Sequence, residues 1–152
     1  MTRWAMGESE VLALLASNDL QNVVGDAANG MPLAERAQTT LATAISIRDS
    51  DPDSAFILAY DACRHALAAL LAQQGLRSTS KGGHYAIEVA VRAQFGAGFR
   101  QFGALRRRRH DIEYPRPGGT SDVTPTEISQ ALIVASEMIT AARALIDELE
   151  MF

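Results

Sequence analysis

Apolar residues recur along this chain at intervals of three and four, the spacing that turns one helix face toward a core, and seldom in the two-residue alternation of strands. Val11, Leu12 and Leu15, with Trp4 ahead of them, predict a short helix that runs into a turn-forming stretch from Gly25 to Pro32. Leu33, Ala37, Leu41, Ala44, Ile45 and Ile47 predict a second helix, with Arg48 in a last turn before Asp49-Ser50-Asp51-Pro52. Ser50 or Asp51 is placed to cap a third, and Pro52 sits near its first position, where a missing amide proton costs nothing. Phe56, Tyr60, Cys63, Leu67, Leu70 and Leu71 make that third segment a core helix, stopped by Gly75.

From Arg77 to Gly83 the residues are polar and predict a loop. Ile87, Val91 and Phe95 then form one stripe of a helix that Gly96 and Gly98 break. Phe99 to Tyr114 is a further helix, ended by Pro115, Pro117, Gly118 and Gly119. Thr124-Pro125-Thr126-Glu127 has the capping-box pattern and opens a last helix along Ile128, Leu132, Ala135, Ile139, Ala142 and Leu145 or Ile146. Its many alanines suit close packing on a neighbour, within the chain or across a dimer. The expected fold is all-α: a single-domain bundle of about four to six helices, with residues 1–49 packed on or flanking a bundle core over 50–152.

Composition narrows this little further. A chain of 152 residues suits one domain. Cys63 is its single cysteine, so no disulfide forms within the chain and a reducing, cytoplasmic setting is expected. Carboxylates at Glu8 and Glu10 interrupt any signal-peptide-like start, and the longest uninterrupted apolar runs are short of a membrane span.

Charge changes the picture more. The net charge is −4, yet residues 100–116 hold Arg100, Arg106, Arg107, Arg108, Arg109 and Arg116 against Asp111 and Glu113, which makes that segment +4 and the remainder −8. Guanidinium groups bind phosphate bidentately, and His110 beside them titrates near neutral pH, so Arg106 to Tyr114 is the candidate site for a phosphodiester. The same run also fits a solvated basic face, with Arg109 and Glu113 as an exposed i, i+4 pair. At about 100° per residue, Arg106, His110 and Glu113 share a face, whereas Arg109 and Tyr114 stand about 140° apart. A second copy of the helix across a two-fold axis would gather both sets, so a homodimer is expected.

The segment Arg109-His110-Asp111-Ile112-Glu113-Tyr114 resembles the motif of HEPN domains, an arginine, a polar residue, three others and a histidine, late in the penultimate long helix. Ala59 to Leu67, followed by Gly75-Leu76-Arg77 and Gly82-Gly83-His84-Tyr85, is similar to an actinobacterial type of the same family, and the likeness spans roughly residues 50 to 148. It implies a helical bundle, commonly a homodimer, with a metal-independent ribonuclease site in which Arg109, His110 and Tyr114 take the motif positions. It also implies a toxin-antitoxin or defence setting, with RNA, an antitoxin or a nucleotidyltransferase as partner. Tyr114 stands where the pattern has histidine, and a phenol of pKa near 10 is a poor base at neutral pH. Binding is therefore expected ahead of cleavage, with Arg106, Arg107, Arg108 and His84 as phosphate contacts. The alternative is a non-catalytic adaptor or partner subunit of a nucleotidyltransferase.

Other chemistry is not indicated. His84 follows two glycines at a helix entrance and is placed either to approach a phosphate or to cap, while His65 beside Arg64 reads as a surface pair. Three separated histidines and one cysteine make no zinc pattern, and Gly82-Gly83 lacks the spacing of a P-loop. Asp51, Asp53, Asp61 and Glu88 offer carboxylates but no metal pair, so neither metal nor cofactor is expected.

Overall fold

Pro52 and the capping carboxylate of Asp51, which accepts from the Ser54 amide at 3.1 Å, open the helix around which the other elements are arranged. The computed structural model describes residues 6–118 and 122–152, so Trp4 and Gly119 lie outside the described residues. Six α-helices follow in order: α1 (Glu8–Ala16), α2 (Met31–Ile47), α3 (Pro52–Gln73), α4 (Gly83–Phe95), α5 (Gln101–Glu113) and α6 (Pro125–Ile146). The protein is an all-α, single-domain bundle.

Helix α3 is buried on almost every side. It packs against α2 and α6 on one flank and against α4 and α5 on the other. Leu67, Leu70 and Leu71 are at most 1% exposed, and each contributes roughly 1.5–3 kcal/mol by leaving water. Between them, Ala55, Ala59, Ala62, Ala66 and Ala69 keep the helix surface shallow, which lets its neighbours approach closely. Gly30, at the entrance to α2, is the closest case: a Cβ there would run into the carbonyl oxygen of Ala69. Its amide donates to Oε1 of Gln73 at 3.0 Å, tying the start of α2 to the end of α3. Cys63 is fully buried, and burial pushes its thiol up to about 12, as befits a small core residue.

Two features depart from the sequence expectations. The polar loop after Gly75 contains a strand, β2 (Leu76–Ser78), which pairs antiparallel with β1 (Leu20–Asn22), Leu20 opposite Ser78 and Asn22 opposite Leu76. Three residues are too few to establish a two-residue period, and the pairing partner lies far away in sequence. Leu20 and Leu76 are each 1% exposed, so the ribbon covers the core, and the Thr79 hydroxyl donating to the Asn18 carbonyl at 2.6 Å closes its open end. The capping box is also only half made. Thr124 Oγ1 accepts from the Glu127 amide at 3.1 Å, but the Glu127 carboxylate is taken by both Nε and Nη2 of Arg108, at 2.8 and 3.0 Å.

Helices α3 and α6 are each long and apolar enough to cross a bilayer by length and composition, although no uninterrupted apolar run is that long, because alanines carry the average. In α3 most of this surface is buried within the bundle. Gly30→Ala should lower stability by about 1–3 kcal/mol, the usual cost of overpacking, as read from the midpoint of urea unfolding.

Candidate functional site

Helix α5 distributes its four consecutive arginines in different directions, as 100° per residue requires. Arg106 turns toward α4, where its Nε meets Glu88 Oε2 at 2.7 Å and its guanidinium lies 5.8 Å from the Tyr85 ring centre. Arg108 reaches α6 and Glu127. Arg109 turns back over α3, with its guanidinium 5.6 Å from the Tyr60 ring centre. Arg107 is exposed to solvent.

Glu88 is a buried carboxylate, and its two oxygens are divided between Arg92 at 2.6 Å and Arg106 at 2.7 Å. Gly103 makes this arrangement possible, because a Cβ at that position of α5 would collide with Glu88 Oε1. The missing side chain lets α5 lie close against the buried acid.

Tyr60 is the meeting point of three helices. Its ring is fully buried and stacks on Phe102 of α5, centroids 5.2 Å apart and planes 10° from parallel. Its hydroxyl oxygen lies 2.7 Å from Nδ1 of His84, in the first turn of α4. One turn further along α3, Arg64 approaches Asp61 at 3.6 Å, an ion pair without a hydrogen bond. Burial raises the Tyr60 pKa, and the opposing fields of Arg64, Arg109 and Arg106 only partly offset it. Burial also lowers the His84 pKa, reinforced by Arg64 and Arg109, opposed by Asp61, and reinforced again by Arg106. His84 is therefore neutral near pH 7.

Several carboxylates moderate the charge of this cluster. Asp61, Glu88 and Glu113 stand beside Arg64, Arg92, Arg106 and Arg109, and Arg109 Nη2 lies 2.8 Å from Glu113 Oε2. The predicted i, i+4 pair thus forms, but half-buried, with both side chains about three-quarters covered. Hydrogen bonding is less complete than charge balance. Nε of Arg64 and Nε of Arg109 are both sealed from solvent and make no hydrogen bond, the Asp61 carboxylate standing 3.6 Å from Arg64 Nε. An unsatisfied buried donor costs about 1–3 kcal/mol; both side chains are about a quarter exposed, so an oxygen-rich ligand toward which either guanidinium turns recovers that penalty.

Of the residues expected from sequence, Arg106, Arg109 and His84 are brought together around Tyr60, and none of them needs the rest of the arginine run. His110 and Tyr114 are exposed and pair with each other, ring centres 5.0 Å apart, at the C-terminal end of α5. His84 bonds to a side chain of α3 rather than capping its own helix. His65 is half-buried instead of forming a surface pair. It lines a polar hollow of about 190 Å³ with Arg36, Thr39, Thr40, Thr43 and Asp61, and its Nδ1 has no partner. Sequence reasoning missed Tyr60, Arg64, Tyr85 and Glu88 as members of the site. The available signal was the i, i+4 spacing of Tyr60 and Arg64, which places a cation one turn from a buried phenol. Among the described residues, no three His, Cys, Asp or Glu side chains converge as metal ligands.

The two lowered histidines generate a pH prediction. Burial is the first cause for His65 as well, joined by Arg64 and Arg36 against Asp61. The unfolded chain therefore takes up protons at a higher pH than the folded one. The histidine contribution to stability is complete above about 6.5 and is lost as pH falls below that value through the folded-state pKa values. A His65→Gln, His84→Gln double variant should lose less stability between pH 7.5 and pH 5 than the wild type, measured by urea unfolding at each pH.

No family model matches this chain, and no curated protein or solved structure matches it.

Proposed function

We propose that the protein is a HEPN-like binding module that takes RNA or a nucleotide-bearing partner at the α3–α4–α5 cluster, its phosphate held by Arg64, Arg106, Arg109 and His84. The carrying observation is the pair of buried arginine Nε donors that make no hydrogen bond, on two different helices, flanking one buried phenol. A phosphate oxygen supplies what these donors lack, and charge-assisted hydrogen bonds to it are short and strong. The surrounding carboxylates limit the bulk attraction, so recognition relies on geometry more than on net charge.

Binding without cleavage is the preferred form of this reading. Tyr114, which occupies the histidine position of the resembling motif, is 65% exposed and lies with its ring tilted against His110. The same observation favours, as a second reading, an adaptor or partner subunit of a nucleotidyltransferase that presents the exposed end of α5 to another protein. A homodimer through that end would bring two His110–Tyr114 pairs together, in keeping with the usual symmetry of such bundles.

Arg64→Ala and Arg109→Ala should each weaken binding of a single-stranded RNA oligonucleotide by about tenfold or more, the value of one hydrogen bond to a charged group. Arg77→Ala, which removes an exposed arginine on β2, should change affinity by less than about twofold, and wild-type affinity should fall as salt rises. Fluorescence anisotropy at two salt concentrations provides the check. Equal losses in all three variants would mean that net charge, and not this cluster, attracts the ligand.

A further inference from the structure

The hydrogen bond between Tyr60 and His84 has a direction that burial decides. Tyr60 is 0% exposed, and its hydroxyl has no hydrogen-bond partner among the described residues other than Nδ1 of His84. A phenol is both donor and acceptor, whereas the two nitrogens of a neutral imidazole divide those roles between them. If Nδ1 carried the proton, it would donate to the phenol oxygen and leave the buried phenol O–H with nothing to donate to. If Nδ1 carries the lone pair, the phenol donates and its buried hydroxyl is satisfied. The second arrangement is the one that a buried environment selects.

The consequence appears on the opposite edge of the ring. With Nδ1 accepting from Tyr60, the single proton of neutral His84 must reside on Nε2, which has no protein partner among the described residues. Arg64, Arg106 and Arg109 are near enough to act on His84, and Asp61 is the carboxylate that opposes them. Burial, reinforced by the three cations, keeps the ring uncharged, so it joins them as a neutral donor and adds no further positive charge to repel.

We infer that Tyr60 is a positioning residue that locks His84 in its Nε2–H tautomer, making His84 a fixed neutral hydrogen-bond donor to a phosphoryl oxygen of the bound ligand. The ring stack with Phe102 and the overlying Arg109 hold Tyr60 in place, so the lock exists before any ligand arrives. This arrangement assigns the histidine of the site to the first turn of α4 instead of to the motif position on α5 that Tyr114 occupies. It rests on the binding reading given above for its role, but the tautomer itself is a property of the free protein.

The test has two arms that fail separately. Long-range ¹H–¹⁵N NMR of the full-length chain at pH 7.5, with the His84 signals identified by their loss in His84→Gln, should place Nε2 in the protonated range and Nδ1 in the unprotonated range. In the binding arm, a single-stranded RNA oligonucleotide should bind Tyr60→Phe about fivefold more weakly than the wild type, the equivalent of one neutral hydrogen bond. His84→Ala should lose about tenfold, and His84→Gln, whose amide can donate from nearly the same place, should stay within about twofold of the wild type. A wild-type ring protonated on Nδ1 overturns the lock, and so does a Tyr60→Phe protein that keeps both tautomer and affinity. A wild type with the expected tautomer but no affinity for the oligonucleotide overturns the binding reading, and with it the donor role.

Discussion

The Tyr60 side chain connects the stability of this bundle to its candidate chemistry. A buried aromatic ring with one polar atom must bring its hydrogen-bond partner with it, and here the partner is His84, on a different helix. Satisfying that one hydroxyl fixes the entrance of α4 against α3. The flat face of the same ring stacks on Phe102 and so fixes α5, while Arg109 covers the ring from further along α5. Three helices are thereby held in register by one residue. Glu88 and Gly103 repeat the coupling one layer away: a buried acid needs a cation, and the absence of a side chain at Gly103 lets α5 approach closely enough for Arg106 to provide it.

Much of this fold could be read from periodicity and end signals. Asp51-Pro52 opens α3 and the Thr124-Pro125 pair opens α6, each through a side-chain oxygen that accepts an early amide of the helix. The β1–β2 ribbon was not legible, because its order comes from a pairing between distant segments and not from a local pattern. Glu127 illustrates a similar limit. Its spacing from Thr124 predicts a reciprocal cap, but Arg108 lies close enough in the folded bundle to claim both carboxylate oxygens.

The site was legible in parts. A run of four arginines marks α5 as unusual, but a run cannot indicate which member points where; helical geometry sends Arg106, Arg108 and Arg109 to three different neighbours. His84 drew notice from its position after two glycines, while its partner Tyr60 looked like one more apolar residue in a core stripe. The distinction between core and site dissolves at that position: Tyr60 is both the largest fully buried side chain of α3 and the group that aims a histidine.

In Arg64 and Arg109 the bundle holds two buried guanidinium Nε–H groups that make no hydrogen bond. The most direct measurement follows their Nε–Hε resonances by ¹⁵N NMR while inorganic phosphate is titrated into the intact protein. Both resonances should shift together along one saturating curve, with the His84 ring signals moving alongside them. If the two signals stay fixed while phosphate perturbs only exposed groups such as Arg107, the cluster is a structural feature of the core and not a place where a ligand binds.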